Sequence, residues 1–206
     1  MEGKIIPDIV IARLPLYLQA LKHLKQDGCH KTSSQIMAKI IGISAAQIRK
    51  DLSFFGEFGK QGSGYLVDFL IEQLQIILRV NRVWDIVLVG AGDLGRAIAH
   101  YQGFANCGFR IAQIFDNDPG KIGQEIAGFR IQNMSSMPTL VKKEQIKVAM
   151  LTVPSIAAQA AADELIKAGI VAILNYAPIT LNVPEKIHVQ YINPILELQH
   201  MTYFLR

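Results

Sequence analysis

The sequence has few cysteines and no long apolar run, and each absence excludes a class of protein. It contains two cysteines in 206 residues. Neither Cys29 nor Cys107 lies in a Cys-x-x-Cys pair or beside clustered histidines, so we expect no disulfide framework and no metal site. No apolar run reaches the roughly 20 residues of a membrane span. The first residues, M-E-G-K-I-I-P-D, lack a signal-peptide pattern. We therefore expect a cytoplasmic protein with no membrane partner.

What the sequence does have is an uneven charge. The net charge is +4 at pH 7, yet residues 13–60 alone contain eight basic side chains against three acidic ones. From residue 81 onward the balance is nearly neutral, with 11 basic and 10 acidic side chains. A basic front half is what a polyanionic partner requires, although solvated lysines on helices are also common.

The front half has the pattern of three helices. Leucines recur at helical spacing around and after Pro15, a residue that suits the first turn of a helix. A second short helix is predicted to begin near Ser33 or Ser34 and to end at Gly42. A third begins at Ala45, after a capping box S-x-x-Q. Two short helices joined by a tight turn that contains glycine predict a helix-turn-helix.

The third helix and the stretch after it carry the candidate DNA contacts. In a helix-turn-helix the early residues of the second helix meet base edges or phosphates. Arginine there pairs with guanine, and glutamine pairs with adenine. The stretch G-E-F-G-K-Q-G-S-G-Y then predicts a hairpin, the wing of a winged helix, whose lysine reaches a phosphate. The alternative is a small helical subdomain with an ordinary surface. The candidate DNA-binding residues are Ser44, Gln47, Arg49, Lys50 and Lys60.

The back half has the pattern of a dinucleotide-binding fold. Residues 83–89 are typical of a buried parallel strand, and V-G-A-G-D-L-G follows with glycines in the order G-x-G-x-x-G. A second strand over 109–115 ends at Asp116, about 20 residues past the glycines, where a carboxylate binds ribose hydroxyls. Such a carboxylate repels a 2′-phosphate and so favours NAD(H) over NADP(H). The candidate residues here are Gly90, Ala91, Gly92, Asp93, Leu94, Gly95 and Asp116.

Two further predicted strands, over 146–153 and 170–174, end in T-V-P-S and N-Y-A-P. In a doubly wound sheet such carboxyl ends line the ligand crevice, although simple strand-to-loop turns have the same residues. These motifs add Val153, Pro154, Asn175, Tyr176, Ala177 and Pro178 as candidate cofactor contacts. The last apolar segment, 195–205, has helical spacing and must bury its apolar stripe on its own domain or on a partner.

The sequence contains few candidates for catalytic residues. His100, His188 and His200 are isolated, and the chain has no room for a substrate domain. We therefore expect a nucleotide that acts as a signal to the front half, with no catalytic residue. Two alternatives stay open. One is a small NAD-dependent oxidoreductase with an N-terminal interaction domain, and the other is a helix-turn-helix regulator that binds a different nucleotide, such as a CoA derivative.

Eight stretches of the chain together resemble Rex, the bacterial family of redox-sensing transcriptional repressors, over essentially the whole length. They are R-L-P-L-Y, Q-I-R-K-D-L-S-F-F-G-E-F-G, G-S-G-Y, V-G-A-G-D-L-G-R-A, F-D-N-D-P, V-P-S-I-A-A-Q, I-L-N-Y-A-P and E-L-Q. The resemblance implies an α/β homodimer with a winged-helix DNA-binding domain (1–80), a Rossmann doubly wound parallel sheet (81–192) and a C-terminal helix (193–206) exchanged between subunits. It also implies a repressor that NADH, the reduced partner of NAD⁺, releases from an A·T-rich inverted-repeat operator in double-stranded DNA.

The resemblance implies roles for individual residues as well. Arg49 and Lys50 would lie on the recognition helix and Lys60 on the wing. The loop 90–95 would hold the pyrophosphate, and Asp116 the adenosine ribose. Tyr101 matches a tyrosine near the nicotinamide and the domain interface.

The chain departs from the family pattern at two positions. Asp93 stands in the phosphate loop where the family usually has Asn, and a carboxylate there repels the nucleotide unless it points away or caps the helix. Asn193 stands where the family often has an Asp that pairs with an N-terminal arginine, matched here by Arg13. We expect both Arg13 and Asn193 to belong to the redox switch, although this pair cannot form the family's ion pair.

Overall fold

The structure is a computed structural model that describes residues 6–59 and 63–205. The chain folds as two compact units, one up to Arg82 and the other from Val83. Lys60, the predicted wing lysine, lies outside the described residues. Among the helices that the structure does describe, we find none with the length and apolar character to cross a bilayer.

In its described residues, 6–59 and 63–82, the first unit consists of four helices and a two-stranded sheet. Its elements are α1 (Asp8–Gln26), β1 (Lys31–Thr32), α2 (Ser34–Ile41), α3 (Ala45–Leu52), β2 (Tyr65–Leu66) and α4 (Val67–Ile77). Buried side chains from the four helices form one core, including Leu14, Met37, Ile48 and Leu70. The second helix begins and ends as predicted, because the Ser33 hydroxyl caps it and Gly42 adopts the left-handed conformation that closes it.

One expectation for this unit is wrong. Pro15 lies inside α1 and not in its first turn, because the apolar stripe extends upstream to the buried Val10 and the helix starts at Asp8. The proposed hairpin includes residues 60–62, which the structure does not describe. Of the residues that follow them, the strand Tyr65–Leu66 pairs antiparallel with Lys31–Thr32, ahead of α2.

The second unit is a seven-stranded sheet with helices. Its elements are β3 (Trp84–Val89), α5 (Asp93–His100), β4 (Phe109–Asp116), β5 (Glu125–Ile126), β6 (Phe129–Asn133), α6 (Met137–Lys143), β7 (Val148–Leu151), α7 (Ser155–Ala168), β8 (Ala172–Asn175), β9 (His188–Tyr191) and α8 (Pro194–Thr202). The strand order is β5-β6-β4-β3-β7-β8-β9, and every pairing except β5 with β6 is parallel. This is the predicted Rossmann architecture.

The strand order positions the site. The chain leaves β3 for β4 on one side and later returns to β7 on the other, so the direction of winding reverses at β3. Ligands of doubly wound sheets bind outside the carboxyl ends of the strands at this reversal. The central strands are buried, as parallel strands covered by helices require, with Val87, Leu88 and Leu151 fully enclosed.

Candidate nucleotide and nucleic-acid sites

A cleft of about 410 Å³ opens at the carboxyl ends of β3 and β7. It lies where the strand order places a ligand crevice. The loops after these strands and after β4 form its walls, together with one side of α7. Seven of the residues predicted from the sequence line it: Gly90, Gly92, Asp93, Leu94, Asp116, Val153 and Pro154.

The three glycines of the fingerprint have different structural roles. Gly90 has φ +102°, and a Cβ there would lie 2.7 Å from the Thr152 carbonyl oxygen. A Cβ on Gly95 would overlap the Gly90 carbonyl, so α5 packs directly on the loop. Gly92, by contrast, has an ordinary φ of −76° and no atom within 4 Å of its Cβ position. It borders the cleft, and the packing around it leaves room for a side chain.

Asp116 is held by three donors from its own unit. The Ala91 N–H donates to Oδ2 at 2.7 Å, the Lys121 ammonium donates to the same oxygen at 3.2 Å, and the Asp118 N–H donates to Oδ1 at 2.8 Å. Burial alone would raise the pKa of Asp116, but these donors outweigh it and hold the pKa below its usual value. A carboxylate has about four acceptor positions, so this one retains capacity for a ribose hydroxyl.

Lys121 and Thr152 are cleft residues that sequence reasoning missed. Lys121 partly neutralises Asp116, and its position five residues past that acid in F-D-N-D-P-G-K is the signal that points to it. The Thr152 hydroxyl lies 3.0 Å from the Val89 carbonyl and 2.8 Å from the Gly90 carbonyl, which joins the ends of β3 and β7. Side-chain contacts across non-adjacent segments have no periodicity in the sequence, so pattern analysis does not find them.

The other predicted cofactor residues lie outside the lining of this cleft. Asn175 is fully buried, and its side chain bonds Ala177 and the Ile179 carbonyl, so it shapes the turn after β8. Within this turn Tyr176 is half-buried and Pro178 is exposed. Tyr101 is 63% exposed, with its ring edge-on to Phe104 at 5.1 Å between centroids.

In the first unit, one face of α3 is exposed and the other is buried. Ala46, Arg49, Lys50 and Ser53 are exposed along it, while Ile48 and Leu52 pack into the core. The Ser44 hydroxyl accepts from the Gln47 N–H at 3.2 Å, so half of the predicted capping box forms.

The other half of the box is replaced by a buried carboxylate. The Gln47 side chain donates to Asp51 Oδ1 at 2.7 Å instead of returning to the helix start. Arg13 donates to both Asp51 oxygens, at 2.6 and 2.8 Å, and the Tyr17 hydroxyl donates at 2.5 Å. Burial would raise the pKa of Asp51, but the hydrogen bonds from Arg13, Tyr17 and Gln47 outweigh it and lower the pKa. Arg13, predicted as a switch residue, thus connects α1 to α3.

Arg49 contacts the start of α2. Its Nη1 donates to the Ser34 hydroxyl at 2.9 Å, beside a cleft of about 610 Å³ between the start of α2, the end of α3 and the glycine-rich loop. Lys50 is exposed one position further along α3. In the second unit Asn193 caps α8, since its side-chain oxygen accepts from the Ile195 N–H at 3.1 Å. No cluster of three potential metal ligands occurs within residues 6–59 and 63–205.

Comparison with known proteins gives the same division of the chain. A family model described as a putative DNA-binding protein N-terminus matches residues 5–53, and one described as a CoA binding domain matches residues 81–179. The redox-sensing transcriptional repressor Rex of Chloroflexus aggregans is 51% identical over 97% of this chain and 94% of its own length. The Rex protein of Brevibacillus brevis is 44% identical over 97% of each chain.

This similarity extends over almost the whole chain, so it decides the family. The chain belongs to the Rex family of redox-sensing transcriptional repressors. Among solved structures, RSP, a Rex-family repressor, matches at a TM-score of 0.89 with 33% identity, covering 98% of this chain and 94% of RSP. RSP in complex with β-NAD⁺ and operator DNA matches at a TM-score of 0.91 with 35% identity, over 98% of this chain and 93% of that one.

Membership in the Rex family resolves the alternatives that the sequence left open. The relatives are transcriptional repressors, so the oxidoreductase alternative is set aside and the chain is a regulator. The predicted winged-helix and Rossmann fold class is confirmed by the RSP match. RSP has also been solved in complex with β-NADH, and that chain matches this one at a TM-score of 0.89.

Proposed function

We propose that this chain is a homodimeric repressor that binds an inverted-repeat operator through α3 and leaves it when NADH binds the cleft beside β3. One observation carries the proposal: a cleft lined by glycines and the Asp116 carboxylate lies in the same chain as a helix-turn-helix with an exposed basic face. RSP, its structural relative, has been solved with β-NAD⁺ and operator DNA and with β-NADH. A transcriptional repressor acts on the chromosome, so we place this one in the cytoplasm.

We assign the nucleotide as follows. The pyrophosphate lies over the loop 90–95 at the start of α5, where backbone N–H groups and the helix dipole favour negative charge. One adenosine ribose hydroxyl donates to Asp116. Val153 and Pro154 also line the cleft. Tyr101 and the turn 175–178 lie toward the nicotinamide end. The bound dinucleotide acts as a redox signal that no residue of this chain converts chemically.

The DNA contacts come from α3 and its flanks. Ser44 at the helix start, Gln47 and Lys50 on the helix and Lys60 in the glycine-rich loop contact DNA. Because its guanidinium is held at the start of α2, we assign Arg49 to a phosphate and not to a base edge. Arg13 and Asn193 influence how the repressor responds to NADH, through the last turn of α3 and the start of α8 respectively.

The dimer forms through α8. In the described part of the chain this helix buries no residue, and its predicted stripe is open to solvent. Ile195, Leu198 and Met201 are each about 60% exposed, and Phe204 and Leu205 more so. An apolar surface of this kind requires a partner. We therefore propose three functional segments: a DNA-binding domain over 1–80, a nucleotide domain over 81–192 and an exchanged helix over 193–206.

The response to NADH follows from differential affinity. A ligand shifts an equilibrium between two forms only by its preference for one of them, so NADH must bind the form that does not bind DNA more tightly. NAD⁺ carries a positively charged ring, and burying an unpaired charge in an apolar pocket is costly. NADH is therefore the stronger signal for release.

The variant Gly92→Val tests this proposal. No atom lies within 4 Å of the Gly92 Cβ position, so the fold accommodates the valine side chain. The same side chain prevents the pyrophosphate from contacting the loop. We expect NADH binding to fall at least tenfold, operator binding to stay within twofold of wild type and NADH-driven release to disappear. Fluorescence anisotropy of labelled operator, with NADH fluorescence for nucleotide binding, gives both values. A variant that binds NADH poorly but is still released by it at the same concentration contradicts the assignment.

A further inference from the structure

We infer that Asp51 is a positioning residue that fixes which way the Gln47 amide faces, and that Gln47 thereby reads an adenine in the operator. The inference rests on the proposed function, because it assigns one base contact within the DNA interface. It gives the buried carboxylate under α3 a role in sequence selectivity as well as in folding.

The chemistry of Asp51 permits one orientation of the amide. Asp51 is fully buried, and its lowered pKa keeps it a carboxylate, which accepts hydrogen bonds and donates none. It can therefore hold the Nε2 end of Gln47 but not the Oε1 end. The observed bond runs from Nε2 to Oδ1 at 2.7 Å. A flipped amide would set two acceptors against each other.

The carboxylate is itself immobile. Arg13 Nε and Nη2 donate to its two oxygens and Tyr17 donates to Oδ2, so α1 holds it in place from the other side. The Gln47 backbone is fixed too, because its N–H donates to the Ser44 hydroxyl. Both ends of Gln47 are thus held, and little side-chain freedom is lost when it meets a ligand.

The remaining hydrogen-bonding groups of the Gln47 amide match those of adenine. One Nε2 hydrogen goes to Asp51, so the second hydrogen and Oε1 remain for a ligand, and Gln47 is half-buried. In the major groove adenine presents the acceptor N7 beside the donor N6–H₂, the complement of this pair. Gln47 is the third residue of α3, in the turn from which recognition helices contact bases.

The neighbouring side chains leave this contact to Gln47. Arg49 is engaged at Ser34 on the side toward α2, and Ala46 has no polar atom with which to recognise a base. Without Asp51 the amide would rotate freely and could present its donor and acceptor in either order. Selectivity for adenine at that base pair would fall, although Gln47 would still be present.

The test uses the full-length protein and an operator selected from randomised double-stranded DNA. Binding of every single-base-pair variant of one half-site is measured by competition, for wild type and for Gln47→Ala, Asp51→Asn and the control Arg49→Ala. We expect wild type to prefer A·T at one position by about five- to one-hundredfold. Gln47→Ala should lose that preference alone, Asp51→Asn should weaken it at the same position, and Arg49→Ala should weaken all sequences alike.

Replacing that adenine with 7-deazaadenine, which lacks the N7 acceptor, tests the contact at the level of one atom. The replacement should weaken wild-type binding and leave Gln47→Ala binding unchanged. Since Asp51→Asn disturbs a buried ion pair, its thermal unfolding is measured alongside. If it does not fold, Gln47→Glu carries the test, because its carboxylate is repelled by Asp51 and turns away from it toward the DNA. A carboxylate there accepts only, so preference should move from adenine toward cytosine, whose N4–H₂ donates.

The inference is overturned if Gln47→Ala keeps the wild-type base profile at every position. It is also overturned if folded Asp51→Asn keeps the full preference for adenine, or if Gln47→Glu leaves the preferred base unchanged. Failure of the proposed function looks different, because wild type would then prefer no selected DNA sequence over random DNA.

Discussion

At the scale of single residues, Asp93 is the side chain most directly opposed to the proposed ligand. It is the first residue of α5, it is exposed, and it lines the cleft at the place assigned to the pyrophosphate. A carboxylate at a helix start gains about 0.3–1 kcal/mol from the dipole. The same charge repels a dianionic ligand. Asp93 therefore stabilises the start of α5 and lowers the affinity for the nucleotide.

We therefore expect Asp93→Asn to bind NADH about three- to tenfold more tightly at low salt, and the gain to shrink as salt screens the repulsion. Titration of NADH fluorescence at two ionic strengths measures both effects. Glu125→Gln, an exposed acid on β5 outside the cleft, is the matched control and should leave the NADH affinity unchanged. An unchanged affinity in Asp93→Asn would show that the carboxylate points away from the ligand.

Residue identities at this site were predictable where the backbone itself imposes them. The spacing of Gly90, Gly92 and Gly95 and the acid at the end of β4 follow from strand–loop–helix geometry, and all but Gly95 line the cleft. Gly95 is covered because its role is packing. Lys121 was not predictable in this way, since its contact with Asp116 depends on the turn after β4 and not on any repeat.

At the scale of elements, the junction of α1 with α3 is the best-defined feature of the first unit. The Tyr17 hydroxyl is fully buried and donates to Asp51, and desolvation together with that carboxylate raises its pKa to about 12. The phenol therefore stays protonated in the folded unit. An unfolded tyrosine ionises near pH 10.

Tyr17→Phe removes one hydrogen bond to a buried charge. We expect it to lower the free energy of unfolding of the first unit by about 1.5–3 kcal/mol near neutral pH, as measured by urea unfolding. The raised pKa also sets a pH dependence. Its contribution to stability is complete below about pH 10 and is lost as pH rises toward 12.

The wild type should therefore lose more stability than Tyr17→Phe between pH 10 and 12, so that the two curves converge. Tyr65 also has a raised pKa and is present in both proteins, so the difference between them isolates Tyr17. Curves that stay parallel over this range would contradict the assignment.

Most elements followed from periodicity and caps, and the errors have identifiable causes. The Ser33 cap and the left-handed Gly42 bound α2 as the sequence indicated. The predicted strand over 146–153 is shorter, Val148–Leu151, because the Ile146 N–H is engaged by the end of α6 and Thr152 turns toward β3. The pairing of Tyr65–Leu66 with Lys31–Thr32 was not predicted, because the pairing partners of two-residue strands depend on tertiary contacts that no local pattern contains.

At the scale of the whole molecule, the exposed stripe of α8 predicts an oligomer. We expect wild type to be a dimer in sedimentation analysis, and Leu198→Glu to shift it toward monomer because the change places a charge in the middle of the stripe. Gln199→Glu adds the same charge at a polar position of α8 and should remain dimeric. If Leu198→Glu remains as dimeric as the control, α8 is not the interface.

Loss of the dimer should also weaken operator binding steeply. A dimer binds two half-sites, one helical turn apart, with two linked recognition helices, and this linkage raises its affinity for the operator. A monomer has a single recognition helix and lacks this gain. Three features of one chain thus underlie the proposed function: an exposed basic helix, a cleft at the reversal of the sheet, and an exposed apolar helix that we propose packs on a second copy.

The most direct test of the central claim is the anisotropy of a labelled inverted-repeat DNA bound to this protein at one fixed salt concentration, titrated separately with NADH and with NAD⁺. We expect NADH to lower the anisotropy to that of free DNA at concentrations where NAD⁺ leaves the complex intact. Equal release by both nucleotides, or no release by NADH from a complex that forms, would contradict it.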